Sequence, residues 1–306
     1  MILFVSGRCD IPAHYSSWLF HRFEAGFVDV RNPFDAHQIS RIFLNEQNID
    51  ALLFCTKNPL PMMPRLKELA FPFLFHVTIT PYHADVEPFG VDKQMIIEAV
   101  KELSDQIGRE NVVVRYDPIL FTNRYTPEYH VHAFHALAKQ LEGVVSTIVI
   151  SFVDLYKNTK ANAKSIGLHP CTDALIYKTA QGIGAVGKQY GISVQTCHEP
   201  YDLRAYGIEK GACVSVEIME RLLQRPYVAS KGKPIRNCGC IPTVDIGDYN
   251  ACPHLCKYCY ANYDERKVRT NVLRHDPTSS ILLGHVSEDD HIIVRKEKGH
   301  RQMSLF

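Results

Sequence analysis

Short apolar runs alternate with amphipathic stretches from the first residues onward. Ile2–Ser6, Phe27–Val30, Ala51–Cys55, Phe73–Ile79, Asn111–Tyr116, Thr147–Phe152, Ser193–Cys197 and Thr243–Ile246 are largely uncharged and rich in β-branched or aromatic residues. That pattern belongs to parallel strands buried on both faces. The stretches between them read as helices with defined ends. Asp92 caps a helix whose apolar positions are Met95, Ile96, Ala99, Val100 and Leu103, stopped by Gly108. Thr126 and Pro127 open a second, with Phe134, Leu137 and Leu141 on one face and Gly143 after it. Thr172 opens a third that ends near Gly191. Eight strands alternating with helices over about 250 residues predict an α/β fold of the (β/α)8 TIM-barrel type. A doubly wound open sheet is the alternative, since strand count does not establish closure.

A second regularity favours the barrel. A polar residue and a proline follow most strands: Asp10-Ile11-Pro12, Asn32-Pro33, Asn58-Pro59, Thr80-Pro81, Asp117-Pro118, Glu199-Pro200 and Cys252-Pro253. Proline ends the strand, and the polar neighbour is left at the C-terminal mouth, where barrel enzymes keep their sites. Arg8, Asp10, Lys57, Arg115, Asp117 and Asp154 become the candidate catalytic side chains of that rim, with Ser151 nearby. Turn chemistry alone would also place Asn and Asp before proline.

The 306-residue chain is 46% hydrophobic and 22% charged, with a formal net charge of +1. This is the composition of an ordinary soluble protein, and it does not announce a nucleic-acid binder. The N-terminus shows no basic leader or cleavage site, and no apolar run is long enough to span a bilayer; the expectation is a cytoplasmic protein without membrane contacts. In that reducing setting, ten cysteines point to metal or redox chemistry rather than disulfides. Positive charge is local: Lys257, Arg266, Lys267, Arg269 and Arg274, then Arg295, Lys296, Lys298 and Arg301. Such runs form a solvated face or a binding patch. The expected organisation is a barrel over 1–250, a cluster loop and following segment packed on it over 251–295, and a flexible basic tail over 296–306.

Cys252, Cys256 and Cys259 have the spacing C-x3-C-x2-C, with the aromatic Tyr258 before the last. A [4Fe–4S] cluster is held by four thiolates, so three on one short loop leave an iron open to a small molecule. A closed zinc site, which wants four ligands, is the alternative. The spacing with its aromatic resembles the signature of the radical S-adenosylmethionine (SAM) enzymes. That resemblance implies a [4Fe–4S] cluster on these cysteines, SAM at the open iron, reductive cleavage to a 5′-deoxyadenosyl radical, and an electron donor of flavodoxin or ferredoxin type. In that family the cluster loop follows the first strand; here it follows the last. On a closed barrel the difference is a circular permutation, since strand eight lies beside strand one. The turn that holds the SAM amino group there maps loosely onto Ser6-Gly7-Arg8, which lacks the family's glutamate. The resemblance thus assigns Ser6, Gly7 and Tyr258 to cofactor binding.

Asp10-Ile11-Pro12, Val30–Pro33, Thr56–Pro59, Arg115–Leu120, Ser151–Tyr156 and the run from Asp245 through Asn262 together resemble the bacterial family labelled domain of unknown function 1848. The resemblance implies an iron–sulfur, radical SAM-like protein related to spore photoproduct lyase and DNA repair photolyases.

Four further cysteines, Cys197, Cys213, Cys238 and Cys240, fall within 44 residues just before the cluster loop. They would complete an auxiliary [4Fe–4S] cluster or a zinc site; otherwise they are small apolar core residues. Cys9, Cys55 and Cys171 have no spacing partner and read as buried thiols. His130, His132 and His135 read as exposed helix positions. Residues 302–306, Gln-Met-Ser-Leu-Phe, resemble the pentapeptide by which bacterial DNA polymerases and repair proteins bind the sliding clamp. Gln302 would give a polar contact and Leu305 and Phe306 two apolar anchors. The leading expectation is a radical SAM enzyme acting on DNA and recruited by the clamp. The alternatives are the same chemistry on RNA, a peptide or a small molecule, or a non-enzymatic iron–sulfur or zinc protein.

Overall fold

The computed structural model describes residues 1–229 and 239–295. Its strands are β1 (Ile2–Val5), β2 (Phe27–Asn32), β3 (Asp35–Phe43), β4 (Ala51–Thr56), β5 (Phe73–Thr78), β6 (Val112–Ile119), β7 (Thr147–Phe152), β8 (Ser193–Thr196), β9 (Ile208–Lys210), β10 (Val244–Asp245) and β11 (His291–Val294). The helices are α1 (Ile11–His14), α2 (Ser16–Ala25), α3 (Lys93–Ile107), α4 (Pro127–Gln140), α5 (Lys157–Asn162), α6 (Asp173–Gln189), α7 (Val216–Leu223) and α8 (Glu265–Leu273). Among the described residues, no helix is long and apolar enough to cross a membrane.

Eight strands form one sheet in the order β10-β1-β4-β5-β6-β7-β8-β9. Every neighbouring pair in it is parallel. This is an α/β fold of TIM-barrel-like arrangement. No ladder joins β9 to β10 among the described residues. The two sheet edges meet instead just beyond the strands, where Ile241 N–H donates to Val214 O at 3.0 Å and Cys213 N–H to Cys240 Sγ at 3.2 Å.

Two expectations are corrected here. Phe27–Val30 is a strand, but not of the main sheet: it belongs to β2, which pairs antiparallel with β3 in a three-stranded side sheet completed by β11. Asp29 and Arg31 break the uncharged pattern, and Asp29 is anchored by Arg41 of β3 across the hairpin at 2.7 Å. Asn32-Pro33 is therefore the turn of that hairpin, not part of the mouth. The eighth place in the main sheet falls to β9, whose Ile-Glu-Lys sequence carries too little apolar signal to read as a strand.

Strand alternation sorts the main sheet into two chemistries. Leu3, Val5, Leu52, Phe54, Phe75, Val77, Val114 and Tyr116 join the large core under the helices. On the opposite face, Ile2, Ala51, Leu53 and Leu74 meet Met219 of α7 and Tyr227. Two residues further along the strands that face changes character, to Cys55, His76 and Arg115. The helix ends follow the expected caps: Asp92 accepts from Met95 N and Thr126 from Tyr129 N, and Gly108 closes α3. Met95 is exposed, while Ile97 turns inward.

His130 is not an exposed helix position; it is fully buried. Its Nε2 meets Leu120 O and its Nδ1 meets the Tyr116 hydroxyl, both at 2.9 Å. With a carbonyl on one side and a hydroxyl on the other, a neutral imidazole satisfies both contacts, and burial lowers its pKa from 6.5 to about 4. Between these values the unfolded chain binds a proton that the folded chain refuses. Stability should therefore fall as pH drops from about 6.5 to 4, by about 3 kcal/mol from this residue. Urea unfolding of the wild type and His130→Gln across this range should converge toward low pH. Parallel curves would rule out the buried neutral imidazole.

Candidate metal centre

Residues 246–262 leave β10 and cross the C-terminal ends of β1, β4 and β5. Side chains hold this loop by its carbonyls. From α5, Asn158 donates to Cys259 O at 3.0 Å, Thr159 to Tyr258 O at 3.1 Å and Asn162 to Lys257 O at 2.9 Å. Tyr15 donates to Ala251 O at 2.5 Å and Asn262 to Cys252 O at 2.6 Å. With its carbonyls fixed outward, the loop turns amides toward sulfur: Ala261 N–H reaches Cys259 Sγ at 3.4 Å, and the His254 amide bonds the Cys252 thiol.

Cys256 is buried and Cys252 and Cys259 are half-buried. Burial, reinforced by Glu87 and Cys259 and opposed by Lys57, pushes the Cys256 thiol up to about 12. Burial also raises Cys252 and Cys259, and the Cys252 thiol feels Asp10 and both other cysteines. Without a metal these are neutral thiols; a bound metal would deprotonate them.

The nearest buried cation is Lys57. Burial works against its charge and is outweighed by Glu87, which it meets at 2.8 Å. Glu87 is also bonded by Lys93 at 2.8 Å, by Thr80 and by the Tyr258 hydroxyl. Burial pushes the Glu87 carboxyl up, but the two ammonium groups prevail and hold its pKa down to about 2. Asp10 caps α1 through Ala13 N, accepts Lys57 N–H at 2.7 Å and faces His254 Nε2 at 3.2 Å.

His14, Cys252 and His254 bring three ligand atoms within 4.8 Å of one another, a group that could hold a metal ion. Cys252, Cys256 and Cys259 do not gather that closely among the described residues. One zinc at about 2.3 Å from each sulfur needs sulfurs about 3.8 Å apart. A cluster, which gives each thiolate its own iron, accepts the wider spacing. The donor set, the sulfur-directed amides and the Lys57 charge fit such a cluster.

The other expected site residues divide. Ser6 Oγ and Gly7 N–H donate to Asp245 at 2.8 and 2.7 Å, and Arg8 pairs with the same carboxylate at 3.3 Å. Arg115 is bonded to Asp117, which also accepts from Ser151. Asp154 is exposed and accepts from the hydroxyl of nearby Tyr156 at 3.0 Å. Cys197 and Cys213 come together with sulfurs 3.6 Å apart, and Cys240 joins them through the Cys213 amide. Cys238, Gln302, Leu305 and Phe306 lie outside the described residues. Sequence reasoning missed Glu87, Asp245, His76 and His254. Of these only His254, inside the Cys252–Cys256 spacing, had a local signal.

A parallel eight-stranded α/β protein with a cysteine loop on the C-terminal side of the sheet is the class these features define. The chain belongs to the family described as Domain of unknown function (DUF1848), whose model matches residues 2–261 and so takes in the strands of the main sheet and all three loop cysteines. Neither the curated proteins nor the solved structures contain a match to it.

Glu87 balances two ammonium groups from a site where it is nearly inaccessible. Glu87→Gln should lower stability by about 3 kcal/mol or more at pH 7, because Lys57 keeps its charge without a counter-ion. The wild-type carboxylate contributes above about pH 4.5 and loses that contribution as pH falls toward 2. The gap between the two proteins in urea should therefore narrow below pH 4.5. A gap that stays constant with pH would contradict the ion-pair assignment.

Proposed function

We propose that Cys252, Cys256 and Cys259 hold a [4Fe–4S] cluster with one open iron, and that the chain is a radical SAM enzyme. The observation that carries this reading is the loop itself: three inward cysteines, carbonyls captured by α5, amides turned to sulfur, and Lys57 beside them. When bound, the cluster and SAM supply reductive cleavage of SAM to a 5′-deoxyadenosyl radical, which abstracts hydrogen from a substrate. The chain's own residues do the rest. Lys57 offsets thiolate charge, and Glu87 fixes Lys57 and the Tyr258 hydroxyl in one place. Asp245 orders the Ser6-Gly7-Arg8 turn beside the loop and supplies the carboxylate that the sequence of that turn lacks. In this reading the sheet closes as a permuted barrel, with β10 taking the place beside β1.

The substrate we favour is DNA, with the protein recruited by the sliding clamp through Gln302, Leu305 and Phe306. Support comes from the likeness of residues 302–306 to clamp ligands and from α8, which follows the cysteine loop directly. Arg266, Lys267 and Arg269 on that helix are exposed, and Arg269 is partly offset by Glu265 at 2.7 Å. One observation favours a second reading. The His14–Cys252–His254 group suits a single metal ion. Against it, His254 already spends its ring nitrogens on Asp10 and on Phe89 O.

Protein reconstituted anaerobically with iron and sulfide should show a reduced [4Fe–4S] signal that changes on adding SAM, and should release 5′-deoxyadenosine. Replacing all three loop cysteines by Ala should abolish both; SAM cleavage that survives would sink the assignment. If instead Cys256→Ala/Cys259→Ala retains metal and His14→Ala removes it, the mononuclear reading holds.

A peptide of residues 297–306 should bind the clamp with micromolar affinity, about −8 kcal/mol. Replacing Leu305 and Phe306 by Ala should remove most of it, since buried apolar anchors dominate small contacts. Deleting 302–306 should leave SAM cleavage intact. Failure of the full chain to bind the clamp would leave the DNA substrate resting on α8 alone.

A further inference from the structure

A second set of sulfurs lies on the sheet face that α7 covers lower down the strands, apart from the loop at 252–259. Cys55 ends the alternation Ala51, Leu53, Cys55 on β4, level with His76 of β5. Cys197 follows β8, Cys213 follows β9 and Cys240 precedes β10. The Cys197 and Cys213 sulfurs are 3.6 Å apart, and Cys240 Sγ accepts the Cys213 amide at 3.2 Å. Cys55 is close enough to Cys213 and Arg115 for their charges to act on it.

Two buried nitrogen donors face this sulfur-rich space. Arg115, fixed by Asp117, donates through Nη1 to Cys213 Sγ at 3.0 Å. The same Nη1 lies 3.3 Å from His76 Nδ1. Since guanidinium only donates, Nδ1 is the acceptor there, and the neutral ring carries its hydrogen on Nε2. That Nε2 makes no hydrogen bond of normal geometry, although the residue is 1% exposed and its ring lies against the Cys213 backbone. A buried donor held only loosely by the Cys213 backbone can take a better acceptor. Four neutral thiols are poor ones, whereas thiolates on a metal are good ones.

We propose that Cys55, Cys197, Cys213 and Cys240 form a tetrathiolate site for one tetrahedral metal ion of the zinc class, which clasps the two edges of the sheet together. The 3.6 Å sulfur separation matches two thiolates on a single ion, about 3.8 Å for zinc–sulfur bonds of about 2.3 Å. A cubane cluster would give each thiolate a separate iron and spread them further. Among the described residues, no three of these four sulfurs lie within 4.8 Å of one another, so on this proposal Cys55 and Cys240 close inward when the ion binds. Zinc with four thiolates carries excess negative charge, which Arg115 and the His76 N–H offset. The ion ties β4, the ends of β8 and β9, and the lead into β10, where no ladder does so among the described residues. The site is independent of the radical SAM assignment.

The full chain with Cys252, Cys256 and Cys259 replaced by Ala isolates it. This protein should purify with about one zinc per chain. X-ray absorption at the zinc edge should show four sulfurs at about 2.3 Å. Adding Cys197→Ser and Cys213→Ser should remove the zinc and lower the melting temperature. Should that variant fail to fold, the sulfur shell measured on the parent decides alone. Iron and sulfide in place of zinc, a folded metal-free protein that takes up no zinc, or a shell of nitrogen and oxygen ligands would each overturn the proposal.

Discussion

The site depends on one short pairing, β1 with β10, in which Leu3 lies opposite Val244 and Phe4 opposite Asp245. These two rungs join the first and last strands of the main sheet. The entropic cost of closing so long a loop grows only logarithmically with its length, so the pairing is affordable once the intervening strands have formed. Asp245 then makes it specific. Its carboxylate takes the Ser6 hydroxyl, the Gly7 amide and the Gly247 amide, and pairs with Arg8. Each of those groups lies at the exit of β1 or β10, so a slip in register would leave a half-buried carboxylate facing the wrong partners. The first cysteine of the loop, Cys252, follows seven residues later, and the loop's position over Asp10, Lys57 and Glu87 follows from this lock.

The two thiol groups share an electrostatic plan. Lys57 stands beside Cys256, and Arg115 beside Cys213. Each cation is buried, and each is held by a carboxylate, Glu87 or Asp117. A buried ion pair costs desolvation and adds little stability over an apolar pair of the same volume. On the two proposals above, its presence beside both thiol groups is explained by what a metal–thiolate centre would need. Such a centre is anionic, and a cation already fixed in place lowers the cost of charging it.

Much of this could be read from the chain, and the rest could not for physical reasons. Buried parallel strands announce themselves because both faces are apolar, so β4, β5 and β7 were found nearly to the residue. Caps are local chemistry, and Asp92 with Gly108 and Thr126 with Pro127 marked α3 and α4 correctly. β9 escaped because a three-residue edge strand with Glu209 and Lys210 shows only Ile208 to the core. β2 was recognised as a strand, but its partner depends on the Asp29–Arg41 bond across a hairpin, which no run of apolar residues encodes. His130 seemed a surface residue since the groups that satisfy it, Tyr116 and Leu120, come from another element. Glu87 sits in a loop without a motif, and its importance comes from Lys93 nearby and from Lys57 and Tyr258, two segments distant in sequence. The cysteines were visible by spacing, but the company they keep was not.

Chain order matters less to such a site than strand order. In a parallel sheet every strand delivers its following loop to the same side, so a cysteine loop after the last strand reaches the same face as one after the first. What decides its neighbours is which strand lies alongside, and here that is β1. The turn at Ser6-Gly7-Arg8 thus comes under the loop although it lies more than two hundred residues away in the chain. The carboxylate that holds this turn comes from Asp245 on the adjoining strand. A function carried by neighbouring strands in one arrangement of the chain can therefore persist when the chain is cut and rejoined elsewhere, provided the parallel order of the sheet is kept.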